Sequence, residues 1–283
     1  MIDIKSIEKD WVEGISKRKK ADKILIEKVI RALMLLEGLS NSGLDFVFKG
    51  GTALMLLLGT TKRLSIDIDI IVPDRSVDLT DYLDKFITEK GFARYEKQER
   101  KVQGDIEKEH YKLFFVSALN GKESHILLDV LKEGIYYKTL VKTPVSSSFL
   151  KETGPPIMVT TPDFDNILGD KLTAFAPTTT GIPYIKKDKE MGMEIIKQMY
   201  DVGCLFDEID NVSMVKDVFN AFATVELKYR GNTHTISDVL DDTCYTALAV
   251  CFRKDIQNTN FAVLNNGITS IKSYHILRFL SSG

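Results

Sequence analysis

Gly50-Gly51-Thr52-Ala53-Leu54, followed by Ser65-Ile66-Asp67-Ile68-Asp69-Ile70-Ile71-Val72, is the stretch on which the reading of this 283-residue chain turns. The second segment alternates polar residues with isoleucine, the period of a strand with one apolar face. On a strand, residues i and i+2 project to the same side. Asp67 and Asp69 therefore share one face, and Ile66, Ile68 and Ile70 share the other. Two like charges held about 6–7 Å apart repel, and nothing in the local fold needs them there. A hard divalent cation such as Mg²⁺, which takes carboxylate oxygens together with substrate phosphates, turns that repulsion into binding.

The first segment supplies what such a cation needs beside it. Leu44-Asp45-Phe46-Val47-Phe48 reads as a short strand, and Thr52 to Leu58 as the opening of a buried helix. Gly50-Gly51 lies between them, where the backbone turns sharply and leaves N–H groups open. Thr52 is the expected N-cap. A helix start reached through glycines attracts phosphate through its unpaired donors and its dipole. Alone, Gly-Gly is an ordinary turn and Asp-x-Asp an ordinary solvated strand pair. In this order, on strand–turn–helix–strand, the two read as nucleotidyl transfer. A P-loop is excluded, because Gly59-Thr60-Thr61-Lys62 lacks the G-x-x-x-x-G-K-[ST] spacing.

Composition sets the frame. A 44% hydrophobic and 28% charged chain is that of a soluble globular protein. No apolar run reaches the roughly 18 residues of a membrane span, and the N-terminus is too charged for a signal peptide. No membrane association is expected. Cys204, Cys244 and Cys251 show no C-x-x-C spacing, so zinc is not expected. They are expected as core thiols of a reduced, cytoplasmic protein. A net charge of −2 argues against non-specific coating of nucleic acid. It leaves room for an RNA substrate held by local patches such as Lys17-Arg18-Lys19-Lys20 or Lys186-Lys187-Asp188-Lys189, which read equally as solvated surface.

The order of elements predicts an α+β fold, a mixed sheet with flanking helices followed by a helical C-terminal domain. Residues 5–40 form one or two helices, and a helix over Asp78 to Lys90 ends at Gly91. Strands at Tyr111 to Val116 and His125 to Val130 are joined by an Asn120-Gly121 hairpin. Asp129 is an acid inside the second, apolar strand. It is either a solvent-facing end-of-strand residue or, if its strand lies beside that of Asp67 and Asp69, the third member of a metal-binding triad. A polar linker over Thr143 to Pro156 divides a first domain, residues 1–155, from a second, residues 156–283. Helices are expected from Thr161 to Ala176, from about Asp188 to Phe206, and from Ser237 to Cys251. The last carries an apolar stripe of Val239, Leu240, Tyr245, Leu248 and Cys251. The four histidines show no cluster and receive no role.

These blocks resemble a family. Phe48-Lys49-Gly50-Gly51-Thr52-Ala53-Leu54 and Arg63-Leu64-Ser65-Ile66-Asp67-Ile68-Asp69 are similar to the AbiEii/AbiGii-type toxin nucleotidyltransferases of the DNA polymerase β-like superfamily. So are the later blocks Gly169-Asp170-Lys171-Leu172-Thr173-Ala174-Phe175 and Ile196-Lys197-Gln198-Met199-Tyr200-Asp201-Val202. The resemblance implies that Asp67 and Asp69 hold two Mg²⁺ ions and that Asp129 assists with metal and activates the attacking hydroxyl. It implies that Gly50, Gly51, Thr52, Arg63 and Ser65 hold the phosphates of a nucleoside triphosphate, and that Lys171 and Asp201 act on the nucleotide from the helical domain. It further implies a toxin with a cognate antitoxin that modifies RNA, with tRNA the foremost acceptor. Nucleotidylation of a protein or small molecule, or nucleotide binding without chemistry, stay open. The segment Pro177 to Lys187 departs from the family pattern and reads as a spacer or as a phosphate- or RNA-contacting loop.

Overall fold

The computed structural model describes residues 1–59, 63–98, 107–253 and 260–274. It divides into two compact units. The first comprises Met1–Ile135 and Leu140–Thr161, to which the chain returns at Tyr274; the second comprises Tyr136–Thr139 and Pro162–Ser273.

The first unit opens with α1 (Lys9–Lys19) and α2 (Lys23–Asn41). The Asp22 carboxylate caps α2 by accepting from the N–H groups of Ile24 and Leu25. Ile26, Val29, Ile30, Leu33, Leu36 and Leu39 of α2 are fully buried. Then come β1 (Val47–Lys49), α3 (Gly50–Leu57), β2 (Ile68–Ile71), the single turn α4 (Thr80–Leu83), β3 (Arg94–Gln98), β4 (Glu107–Val116), β5 (Glu123–Lys132), β6 (Leu140–Pro144) and β7 (Met158–Pro162). Five strands form one sheet in the order β1-β2-β5-β4-β3. The β2–β5 pair is parallel and the other neighbours are antiparallel.

One face of this sheet is the core. Phe48, Ile68, Ile70, Tyr111, Leu113, Leu128 and Val130 are buried in the same cluster as the apolar residues of α2. Full burial of each such side chain is worth roughly 1.5–3 kcal/mol. Glu109 also faces inward, and its carboxylate takes bonds from Lys97 at 2.6 Å, Tyr111 at 2.7 Å and Lys132 at 3.1 Å. Burial works to raise the Glu109 carboxyl, but these partners hold it below the usual carboxylate range.

Two expectations for this unit are corrected. Only Thr80–Leu83 of the segment to Lys90 is α-helical; the rest runs as hydrogen-bonded turns that do end at Gly91, at φ +75°. The stretch Thr143 to Pro156 is not a linker. Phe149 and Leu150 are buried, the Trp11 indole N–H donates to the Phe149 carbonyl, and the N-terminal ammonium donates to the carbonyls of Thr153 and Pro155. Its polar composition hides two apolar anchors.

Among its described residues, the second unit is helical apart from one small hairpin. It contains α5 (Phe164–Ala174), β8 (Ile185–Lys186), β9 (Lys189–Glu190), α6 (Gly192–Phe206), α7 (Val212–Tyr229), α8 (Ile236–Phe252) and α9 (Phe261–Ile271). The architecture is thus α+β, as expected. α5 starts at Phe164 rather than Thr161, capped by the Asp163 carboxylate, which accepts from the Asn166 N–H. α6 and α9 meet backbone to backbone: a Cβ on Gly192 would overlap the Val263 carbonyl, and one on Gly267 would overlap the Gly192 backbone. Gly267→Ala therefore forces the two helices apart. A loss of about 1–3 kcal/mol in urea unfolding is the expected result.

The loop after α5 is held by its own unit. The buried Asp242 carboxylate accepts from the Thr178 and Thr179 N–H groups and the Thr179 hydroxyl, and the Thr180 hydroxyl donates to the Thr173 carbonyl. Arg230 donates to the carbonyls of Thr180 and Gly181. These bonds engage the Thr179 and Thr180 hydroxyls within the unit, whereas Thr178 bonds through its backbone and its side chain is exposed. Residues Val239, Asp242, Thr243, Thr246 and Ala249 form the buried face of α8. That overturns the expected stripe: Leu240, Tyr245 and Leu248 are exposed, as are Cys244 and Cys251. Polar side chains face inward on α8 because they bond to the loop and to α5, with the Thr243 hydroxyl donating to the Leu172 carbonyl. Among the described residues, no helix is long and apolar enough to cross a membrane.

Candidate active site

Strand register assembles the site. Pairing of β1 with β2 sets Lys49 opposite Asp69, and parallel pairing of β2 with β5 sets Asp69 beside Asp129. Pairing of β4 with β5 sets His110 opposite Asp129. Registered partners face the same way, so Lys49, Asp69, Asp129 and His110 form one row across the sheet, on the face away from the core. Asp67 lies two residues before Asp69, just ahead of β2, which is shorter than the alternation over Ser65 to Val72 implied.

The glycine turn is pressed onto this row. Gly50 has φ +79°, a conformation that side chains strain to adopt, and a Cβ there would overlap the Asp69 Oδ2. A Cβ on Gly51 would stand 2.7 Å from Arg63 Nη2 and 2.8 Å from Ser65 Oγ. Glycine is required at Gly50 by its φ, and at Gly51 a Cβ would push the Arg63 and Ser65 side chains away from the helix start. The helix α3 begins at Gly50, so its first-turn N–H groups have no partners earlier in the helix.

Thr52 is not the N-cap. That position belongs to Lys49, whose side chain makes no capping bond, and Thr52 is the third residue of the helix. It is fully buried, and its hydroxyl donates to the Asp67 carbonyl at 2.6 Å. A hydroxyl so engaged ties α3 to the entry of β2 and sets the position of Asp67. Thr52→Val leaves that carbonyl without its donor in a buried site. A loss of about 1–3 kcal/mol in thermal or urea unfolding is the expected result. Arg63 is buried, with Nη1 donating to the Leu64 carbonyl at 3.2 Å.

His110 is the residue that sequence reading left without a role. Its Nδ1 lies 2.6 Å from Asp129 Oδ1. Asp129 lies within β5 between Asp69 and the imidazole, its side chain 41% exposed.

In the second unit, Lys171 of α5 and Asp201 of α6 form an ion pair with Nζ 2.9 Å from Oδ2. Lys171 Nζ also donates to Gln198 Oε1 at 2.9 Å. Gln198 and Asp201 are three apart on α6, hence on one face. The Lys171 and Asp201 side chains are only 9% and 3% exposed. The two blocks picked out in the sequence therefore meet as a buried charge pair. Gln198, inside the second block, was passed over.

Among the described residues, no three His, Cys, Asp or Glu side chains are gathered into a group that could hold a metal ion. The donor set nevertheless suits a hard cation. Asp69 and Asp129 are in register on neighbouring strands, Asp67 lies just ahead of β2, all three offer only oxygens, and a glycine turn lies against Asp69.

Two acids in register beside a helix start reached through glycines suit a nucleotidyltransferase, and the family comparison places the chain in that class. Its membership is more specific. Residues 34–257 match the family described as nucleotidyl transferase AbiEii toxin, type IV TA system, and the chain belongs to that family. No curated protein matches it. Among solved structures it is similar to MenT4, a nucleotidyltransferase toxin from Mycobacterium tuberculosis, at 12% identity and TM-score 0.49, over 89% of this chain and 98% of that one. It is also similar to JHP933 from Helicobacter pylori, at 13% identity and TM-score 0.44, over 89% of this chain and 98% of that one. An antigenic nucleotidyltransferase-like protein from Paracoccidioides brasiliensis follows at 13% identity and TM-score 0.42, over 75% of this chain and 93% of that one.

Proposed function

We propose that this protein transfers a nucleoside monophosphate from a nucleoside triphosphate to a hydroxyl of RNA, with tRNA the foremost acceptor, and that it is a toxin restrained by a cognate antitoxin. The observation that carries the reading is the register of Asp69 with Asp129 on neighbouring parallel strands, beneath a glycine turn that abuts Asp69. Family membership supports it.

Asp67, Asp69 and Asp129 would hold Mg²⁺, which when bound neutralises the phosphates and stabilises charge on the attacking and leaving oxygens. The first-turn N–H groups at Gly50 and Gly51, with Arg63 and Ser65, receive phosphate oxygens. Thr52 acts by positioning Asp67 rather than by touching phosphate. Asp129 takes the proton of the acceptor hydroxyl. The bond from that oxygen to the α-phosphorus forms as the bond from the α-phosphorus to the bridging oxygen breaks, and pyrophosphate departs. Lys171, a compact point charge held by Asp201 and Gln198, is the cation assigned to the nucleotide's phosphates.

The test is incubation of the purified protein with Mg²⁺, each α-labelled triphosphate in turn and total tRNA. Label on RNA with wild type and none with Asp69→Ala is the expected result. Label appearing instead on protein or on a small molecule from extract overturns the RNA acceptor, and label nowhere overturns transfer itself.

A further inference from the structure

The row across the sheet has an order with a physical consequence. Two carboxylates, Asp69 and Asp129, stand on adjacent strands about 4.8 Å apart, and like charges at that spacing push each other away. Each has a nitrogen-bearing side chain on its outer side: Lys49 opposite Asp69, and His110 opposite Asp129. At Asp129 the contact is a hydrogen bond of 2.6 Å between His110 Nδ1 and Oδ1. The imidazole is enclosed at 14% exposure, whereas Asp129 is open at 41%. An ionised carboxylate has no hydrogen to give, so the proton between the two sits on Nδ1 and His110 donates. An aspartate whose neither oxygen is held turns freely about its terminal torsion, which is broad. Here one oxygen is fixed, and Oδ2 is the one His110 does not engage.

Resting on the nucleotidyltransferase reading, we propose that His110 is a positioning residue. By holding Asp129 at Oδ1, it presents Oδ2 to the cation and to the acceptor hydroxyl, and it keeps the carboxylate in the row against repulsion from Asp69. Outer partners of this kind orient the groups that do bind, and their loss costs about 10–100-fold in metal affinity or activity.

The test compares full-length wild type, H110A and H110N. Mn²⁺ binding is followed by electron paramagnetic resonance without nucleotide, alongside kcat and KM for the triphosphate. H110A is expected to weaken Mn²⁺ binding and lower kcat, each by about 10–100-fold, with KM little changed. H110N places an amide N–H where the imidazole Nδ1–H stood and is expected to recover most of both. If H110A is unfolded at the assay temperature, H110Q replaces it, since its amide reaches the Nε2 position instead. Mn²⁺ binding unchanged in a folded H110A or H110Q overturns the proposal. So does a folded H110N no better than these, or a wild type that binds no Mn²⁺. Mn²⁺ binding that depends on His110, in a protein that labels no acceptor, supports the positioning role while overturning the transfer reading.

Discussion

Asp69→Asn protein is expected to fold, to melt close to wild type and to transfer nucleotide at about a hundredth of the wild-type rate or less. The size follows from the place of the residue. Asp69 is at the centre of the row, between Lys49 and Asp129, with the Gly50 backbone against its Oδ2. Asparagine keeps the shape that the glycine turn abuts but removes the charge that would attract a cation. Each group that stabilises developing charge in a dry site is worth about 2.7–4 kcal/mol of barrier, or 10²–10³ in rate. The fold is spared because Asp69 faces away from the core, which Ile68 and Ile70 hold from the other face of β2. Asp67→Ala is expected to behave alike. Retention of more than a tenth of the rate in either variant would show that the acids do not hold the metal.

Asp201→Ala is expected to unfold at much lower urea than wild type, by about 3–5 kcal/mol, because the Lys171 ammonium is left buried without its counter-charge. Lys171→Ala is also expected to destabilise, since it removes the buried cation of the pair. The informative protein is the double variant Lys171→Met with Asp201→Leu. A buried ion pair replaced by apolar side chains of similar size is often neutral or better, since two desolvation penalties vanish together. The double variant is therefore expected to recover most of the stability and yet transfer no nucleotide, because the cation assigned to the phosphates is gone. Full activity in a stable double variant would reduce the pair to a structural contact.

The sequence made the acids legible because strands announce themselves by alternation. Asp69 and its flanking isoleucines, Ile68 and Ile70, needed no tertiary information to be placed on opposite faces. Glycines at Gly50 and Gly51 were likewise readable as a turn before a buried helix, and the structure adds what they touch. Thr52 misled because a threonine after glycines fits an N-cap as well as a third helical residue, and only the helix start separates the two. The stripe on α8 misled for a different reason. Apolar spacing shows that a helix has two faces, but polar residues can occupy the inward one when they have bonds to make there, as Asp242 does with Thr178 and Thr179.

Register marks where local information stops. Read as a two-residue loop, Asn120-Gly121 would pair Leu119 with Lys122 and bring Lys112 opposite Asp129. The loop is longer: Ser117 pairs with Lys122 through its N–H, and Glu27, buried in α2, accepts from the Ser117 hydroxyl at 2.6 Å and the Ala118 N–H at 2.8 Å. A carboxylate from a distant helix thus sets the hairpin two residues away from its simplest register. The slip preserves every inward and outward face, because side chains alternate with period two. Patterning alone is therefore blind to it. By itself the sequence determined which residues are acids on a strand, which glycines turn into a helix and to which family the chain belongs. The tertiary structure decided that Asp129 stands beside Asp69 and that His110, not Lys112, holds it, because strand order and loop length are settled by contacts between residues far apart in the chain.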